Sequence, residues 1–121
     1  MERADADRRA DGERAEALAA AFLTGRGLAV IARNVRNRFG EIDLVARDGN
    51  VLVFVEVRLR RSLSYGGAAA SITAAKRERL RRAAEGYLAT LRVVPPCRFD
   101  AVLLDAVRGD RIEWLRDVMD G

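Results

Sequence analysis

Apolar positions along the 121-residue chain recur with two spacings, three to four residues in some stretches and two in others. Between Gly12 and Arg26, Ala15, Leu18, Ala19 and Phe22 recur at helical spacing, and Gly25 to Gly27 closes the run. The spacing predicts a helix there, preceded by a charged, flexible tail over residues 1–11. Leu28 to Ile31 read as a short strand and Arg33 to Phe39 as a basic connection. Glu41 to Ala46 and Val51 to Val57 alternate like strands, with Asp48-Gly49 as the hairpin signal between them. Gly66 and Gly67 mark a loop. A second helix is predicted from about Ser71 to Leu91, with Ile72, Leu80, Ala83 and Tyr87 on one side, and Pro95-Pro96 ends that unit. Arg98 to Leu104 and Arg111 to Leu115 read as the last strands, with Gly109 in the turn. The order α-β-β-β-α-β-β predicts a single α/β domain over residues 12–121, a mixed sheet flanked by helices.

The hairpin is where chemistry concentrates. A loop centred on Asp48-Gly49 pairs Asp43 with Phe54 and Glu41 with Glu56. Alternation then sorts the side chains. One face, carrying Ile42, Leu44, Ala46, Val53, Val55 and Val57, is wholly apolar and belongs to the core. The other mixes Glu41, Asp43, Glu56, Arg58 and Arg60 with Val45, Leu52 and Phe54. Asp43 and Glu56 become diagonal neighbours, about 7–8 Å apart at the backbone. Two carboxylates at that separation can bridge a hard cation such as Mg²⁺ or Mn²⁺. Salt bridges such as Glu56–Arg58 fit the same geometry equally well. Leu52 and Phe54 favour a covered face, where carboxylates need partners.

Two residues on helices bear on that face. Glu16 lies at the edge of the first apolar stripe, either solvated or reaching the border of the sheet. Lys76 falls within the stripe of the second helix. It either snorkels to water or directs an ammonium at the sheet face.

Composition narrows the chemistry. The chain has no histidine and one cysteine, which excludes Ser-His-Asp and Cys-His triads, His-ligated zinc and zinc knuckles. Carboxylates, Lys or Arg, hydroxyls and bound metal remain. The formal charge of +4 and pI near 10.2 favour a polyanionic partner. Lys76 is the single lysine among 22 basic residues, a bias that base composition also explains. The lone Cys97, the absence of an apolar run of about 18 residues and a charged start without an apolar signal core lead to the expectation of a cytoplasmic, non-membrane protein. The phenylalanines read mostly as core, so no aromatic platform for single strands is evident.

The run from Gly12 through GEIDLVARDGNVLVFVEVRLRRS, with the Gly66 loop, Lys76-Arg77-Glu78-Arg79-Leu80 and Arg98-Phe99-Asp100, resembles the YraN family of small bacterial proteins. The resemblance covers roughly residues 12 to 116. It implies a restriction-endonuclease-like fold, similar to Holliday-junction resolvases. It further implies that Asp43 and Glu56 are the two acids of an Asp…Glu-x-Lys nuclease motif, and that Glu16 is an added helix acid. Mg²⁺ or Mn²⁺ is the implied cofactor and DNA the implied partner, with Arg33, Arg36, Arg38, Arg60 and Arg61 as candidate phosphate contacts. A homodimer is one arrangement the resolvase likeness suggests.

Arg58 stands where the motif has lysine. Arginine cannot act as a general base but can hold a phosphate. Arg58 is then a tolerated replacement, or Lys76 supplies the missing group, or catalysis is lost and a non-catalytic nucleic-acid-binding module remains. Asp100 reads as a structural salt-bridge partner.

Overall fold

The computed structural model describes residues 2–60, 73–105 and 111–119. The elements run α1 (Glu2–Gly25), β1 (Ala29–Asn37), β2 (Gly40–Asp48), β3 (Val51–Arg60), α2 (Ala74–Leu88), β4 (Cys97–Asp105) and β5 (Arg111–Leu115). This is the expected α-β-β-β-α-β-β order. The five strands form one mixed sheet in the order β1-β2-β3-β4-β5. All neighbours are antiparallel except β3 and β4, which are parallel. A parallel pair needs a crossover, and α2 lies in that connection. The Gly66–Gly67 loop, Ile72 and Gly109 lie outside the described residues.

Each helix covers one face. Ala15, Ala19, Ala20 and Leu23 of α1 pack on Leu44, Ala46, Val53, Val55, Val102 and Leu104. Leu80, Ala83 and Ala84 of α2 pack on Ile42, Val45, Leu52 and Phe54. The buried stripe of α1 is rotated from the expected one: Leu18 is 49% exposed. Three alanines let the helix approach the sheet closely, and Leu23 fills the space beyond them. Helix α1 also starts at Glu2, earlier than the stripe from Gly12 indicates. Six of residues 2–11 are alanine or arginine, which favour helix without needing an apolar face.

Two strand readings are corrected. Arg33 to Asn37 is part of β1 rather than a connection, because this edge strand alternates half-buried Ala32 and Val35 with exposed arginines. The β2–β3 hairpin pairs Asp48 with Val51 and Val45 with Phe54. Its two-residue loop is therefore Gly49-Asn50, with Gly49 at φ +60°, the conformation glycine adopts at least cost. The register differs from the expected one by two residues. A shift of two leaves every side chain on its face, so the face assignment on β3 survives the error.

On β2 it survives with one exception. Ile42 and Leu44 are two apart, yet Ile42 packs against α2 and Leu44 against α1. The alternation breaks at Asp43. On β1, between the pairs Arg33–Leu44 and Val35–Ile42, Asn34 holds φ +51°. Asparagine tolerates this left-handed conformation better than most residues.

At the opposite end of the sheet, Asp100 is fully buried. It accepts hydrogen bonds from Arg98 Nε at 3.0 Å, Trp114 Nε1 at 3.0 Å and the Asp117 amide at 2.9 Å. Arg98 also reaches Asp48 at 3.2 Å. The structural role expected for Asp100 is the one observed: it ties β4 to β5, to the segment after it and, through Arg98, to the β2–β3 turn.

Candidate metal and phosphodiester site

Strand β3 stays paired with β4 as far as Arg60–Asp105, whereas its ladder with β2 ends at Leu44–Val55. Past that point β2 turns away with β1, and the sheet forks. Backbone groups in a fork lose their ladder partners. The Val57 amide donates instead to Asp43 Oδ2 at 2.8 Å. The β1–β2 turn closes over α2, where Asn37 Nδ2 donates to the Ala83 carbonyl at 2.9 Å. Between the fork and the two helices lies a cleft of about 550 Å³.

Glu16 and Gly12 of α1, Gly40, Glu41 and Asp43 of β2, Glu56 and Arg58 of β3, and Lys76 and Arg79 of α2 all line it. The five residues expected to carry chemistry, Asp43, Glu56, Arg58, Lys76 and Glu16, thus share one cleft.

The carboxylates divide differently from expectation. Oxygens of Glu16, Glu41 and Asp43 lie within 4.8 Å of one another. Glu56 is not in that group; its Oε1 receives Arg58 at 2.8 Å. Glu41 is the residue that sequence reasoning left out of the site. Its parity with Asp43 on β2 was the available signal. What hid its approach was the break in alternation at Asp43, which no periodicity argument foresees.

The electrostatics follow first from burial and then from the neighbouring charges. Burial, then the neighbouring Glu56, raise the Asp43 pKa to about 7, against the opposing hydrogen bond from Val57; Glu16 and Glu41 push further upward. Burial raises Glu56 as well, with Arg58 and Lys76 opposing. Glu16 is raised mainly by burial, with Asn34 hydrogen bonding holding it down. Lys76, three residues past the helix-capping Thr73, is lowered by burial and by Arg58. Arg58 Nε is buried without a hydrogen-bond partner, which is costly for a guanidinium.

The expected arginines scatter. Arg36 reaches Glu41 at 3.7 Å from the rim. The Arg38 guanidinium lies 4.7 Å above the Phe39 ring at the β1–β2 turn. Arg33 is exposed, on a separate groove between α1 and β1. Arg60 ends β3, and Arg61 lies outside the described residues. Arg79, not singled out from the sequence, lines the cleft.

Among the described residues, no helix is long and apolar enough to cross a membrane. A profile described as "Uncharacterised protein family UPF0102" matches residues 15–104. The chain is 53% identical over 112 residues to a UPF0102 protein of Nitrosospira multiformis, covering 93% of this chain and 94% of the relative. It is 54% identical over 109 residues to one of Nitrosomonas europaea, covering 90% and 92%. A Methylobacillus flagellatus UPF0102 protein is 56% identical over 106 residues, covering 88% and 93%.

Proposed function

The chain belongs to the uncharacterised protein family UPF0102, also called YraN, and from the chemistry of its cleft we propose that it is a divalent-metal-dependent endonuclease-like protein acting on DNA phosphodiesters. The observation that carries this reading is the meeting of Glu16, Glu41 and Asp43 carboxylates within 4.8 Å, beside a buried arginine nitrogen that lacks a partner.

The donor set fits the ion. Three carboxylates offer only hard oxygen ligands, which suit Mg²⁺ or Mn²⁺ and discriminate against soft metals. Burial first, and then the neighbouring carboxylates, disfavour the Asp43 charge, and an arriving cation offsets both. Such an ion supplies Lewis acidity and a bound water of lowered pKa.

The protein's own groups do the rest. Asp43, Glu41 and Glu16 bind the ion. Arg58, held by Glu56, lines the cleft and keeps a guanidinium there for a phosphate oxygen. Lys76 brings the ammonium that the motif's lysine position, occupied here by Arg58, lacks. Its depressed pKa suits a group that orients a water or steadies charge on the phosphorus centre. Arg79, Arg36 and Arg38 stand at or beside the rim for flanking phosphates.

The test is incubation of the purified protein with supercoiled and branched DNA in Mn²⁺ or Mg²⁺. Cleavage by wild type and none by Asp43→Asn or Lys76→Ala supports the reading. Salt-sensitive binding that needs no metal and leaves DNA intact supports instead a non-catalytic nucleic-acid-binding module.

A further inference from the structure

We propose that Phe39, with Arg38, forms a stacking platform at the rim of the cleft that selects DNA with unpaired bases. This rests on the nucleic-acid reading of the cleft. Phe39 occupies the turn between β1 and β2, where Asn37 pairs with Gly40. The next two residues, Gly40 and Glu41, line the cleft. Phe39 is 43% exposed, and among the described residues it is the one aromatic side chain on the exposed surface. Phe39 is the exposed exception to the reading of the phenylalanines as mostly core.

An exposed phenylalanine on a loose turn would fold back onto the nearest apolar surface. This one is held in place. Its amide donates to Asn37 Oδ1 at 2.9 Å, and Asn37 is fastened in turn to the Ala83 carbonyl of α2. One edge of the ring rests over Gly86, so closely that an added Cβ there would stand 3.2 Å from Phe39 Cδ2. The helix carries a glycine at the point where the ring and Asn37 need room. The ring keeps 43% exposure, with the Arg38 guanidinium 4.7 Å over it, a cation that a stacking base would displace or share. The protein thus spends helix propensity to fix an aromatic and a cation side by side at the mouth of an acidic cleft.

That pair has a natural ligand class. Bases stack on aromatic rings with about 1–3 kcal/mol each and little sequence preference, and guanidinium groups serve both stacked bases and phosphates. In a continuous duplex both faces of every base are already covered. A fixed ring can stack only where a base has a free face, at a strand end, a gap, a fork or a junction. Phe39 therefore confers a preference for such DNA, while the arginines alone bind any duplex.

The test is fluorescence anisotropy of the full chain without divalent ion, on a forked DNA with unpaired bases and on a duplex of equal length. The variants are Phe39→Ala, Phe39→Leu and Phe39→Tyr, with Asp43→Asn alongside. Leucine keeps the packing over Gly86 but has no π face. The proposal expects Phe39→Ala and Phe39→Leu to lose about tenfold on forked DNA, duplex binding to stay unchanged, and Phe39→Tyr to match wild type. Leucine binding forked DNA as wild type does, or equal losses on both DNAs, overturns it. Absence of wild-type binding to either DNA overturns both this inference and the nucleic-acid reading. Selective binding by a wild type that never cleaves upholds the platform and removes only the hydrolytic chemistry.

Discussion

Asp43 Oδ2 accepts the Val57 amide across the fork of the sheet at 2.8 Å. One carboxylate thereby ends the β2–β3 ladder, satisfies a backbone donor that the fork would orphan, and stands in the acidic group that lines the cleft. Structure and chemistry make opposite demands on it. The hydrogen bond needs only an acceptor, whereas a cation needs the charge.

Asp43→Asn separates the two demands. An amide oxygen still accepts from Val57, while the buried charge beside Glu16, Glu41 and Glu56 is gone. Without divalent ions at pH 8 the variant is expected to be more stable than wild type by about 1–3 kcal/mol. Added Mn²⁺ should stabilise wild type and leave the variant unmoved. Asp43→Ala, which also orphans the Val57 amide, should fall below Asp43→Asn by about 1–3 kcal/mol. Urea denaturation with and without Mn²⁺ checks all three.

The raised Asp43 pKa sets a pH dependence of definite sign. The unfolded group titrates near 3.8 and the folded one near 7, so between those values the native state binds more protons. Its contribution to stability is complete below about pH 4 and declines as pH rises to about 7, by up to about 4 kcal/mol for a shift of this size. The difference in unfolding free energy between wild type and Asp43→Asn, measured in a chelator from pH 4 to 8, should grow steadily against wild type. Saturating Mn²⁺ should reverse that trend, because it favours the ionised form.

Asp100→Ala tests the opposite end of the fold. The substitution leaves Arg98, the Trp114 indole and the Asp117 amide without their common acceptor. Removing one member of a buried charged network costs about 3–5 kcal/mol. The melting temperature should drop sharply, while Mn²⁺ affinity of the protein that remains folded stays at the wild-type value.

Gly86→Ala reverses the usual effect of alanine in a helix. Helix propensity alone predicts a gain of about 1 kcal/mol. The new Cβ would stand 2.7 Å from Asn37 Nδ2 and 3.2 Å from Phe39 Cδ2, so the turn must lift and its bond to Ala83 break. Net destabilisation of about 1 kcal/mol is expected. Circular dichroism during thermal unfolding reads the sign directly.

Much of this was legible in the sequence because it depends on parity and spacing. Element order, the mixed sheet and the placing of Asp43, Glu56 and Arg58 along one cleft survive a hairpin register wrong by two residues, since alternation has period two. The lone Lys76 emerged from its helical phase. What stayed hidden depends on backbone departures from regularity. The left-handed Asn34 and the broken alternation at Asp43 accompany the approach of Glu41 to Glu16, whereas the Glu56–Arg58 pair was one of the two arrangements the alternation allowed. Basic residues made Arg33 to Asn37 look like a connection, although at a sheet edge charged side chains are ordinary. Phe39 was placed in the basic connection and, with the phenylalanines read mostly as core, was not singled out, because residue type alone does not distinguish a buried ring from one pinned at a turn.

The central claim is that Glu16, Glu41 and Asp43 hold a divalent cation. Calorimetric titration of Mn²⁺ into wild type, Glu41→Gln, Asp43→Asn and Glu56→Gln tests it most directly. The account predicts one site in wild type, its loss in Asp43→Asn, and at least tenfold weaker binding in Glu41→Gln, about 1.4 kcal/mol. Absence of Mn²⁺ binding in wild type, or affinity unchanged by both Glu41→Gln and Asp43→Asn, would contradict it and leave the cleft a set of carboxylates balanced by arginine and lysine alone.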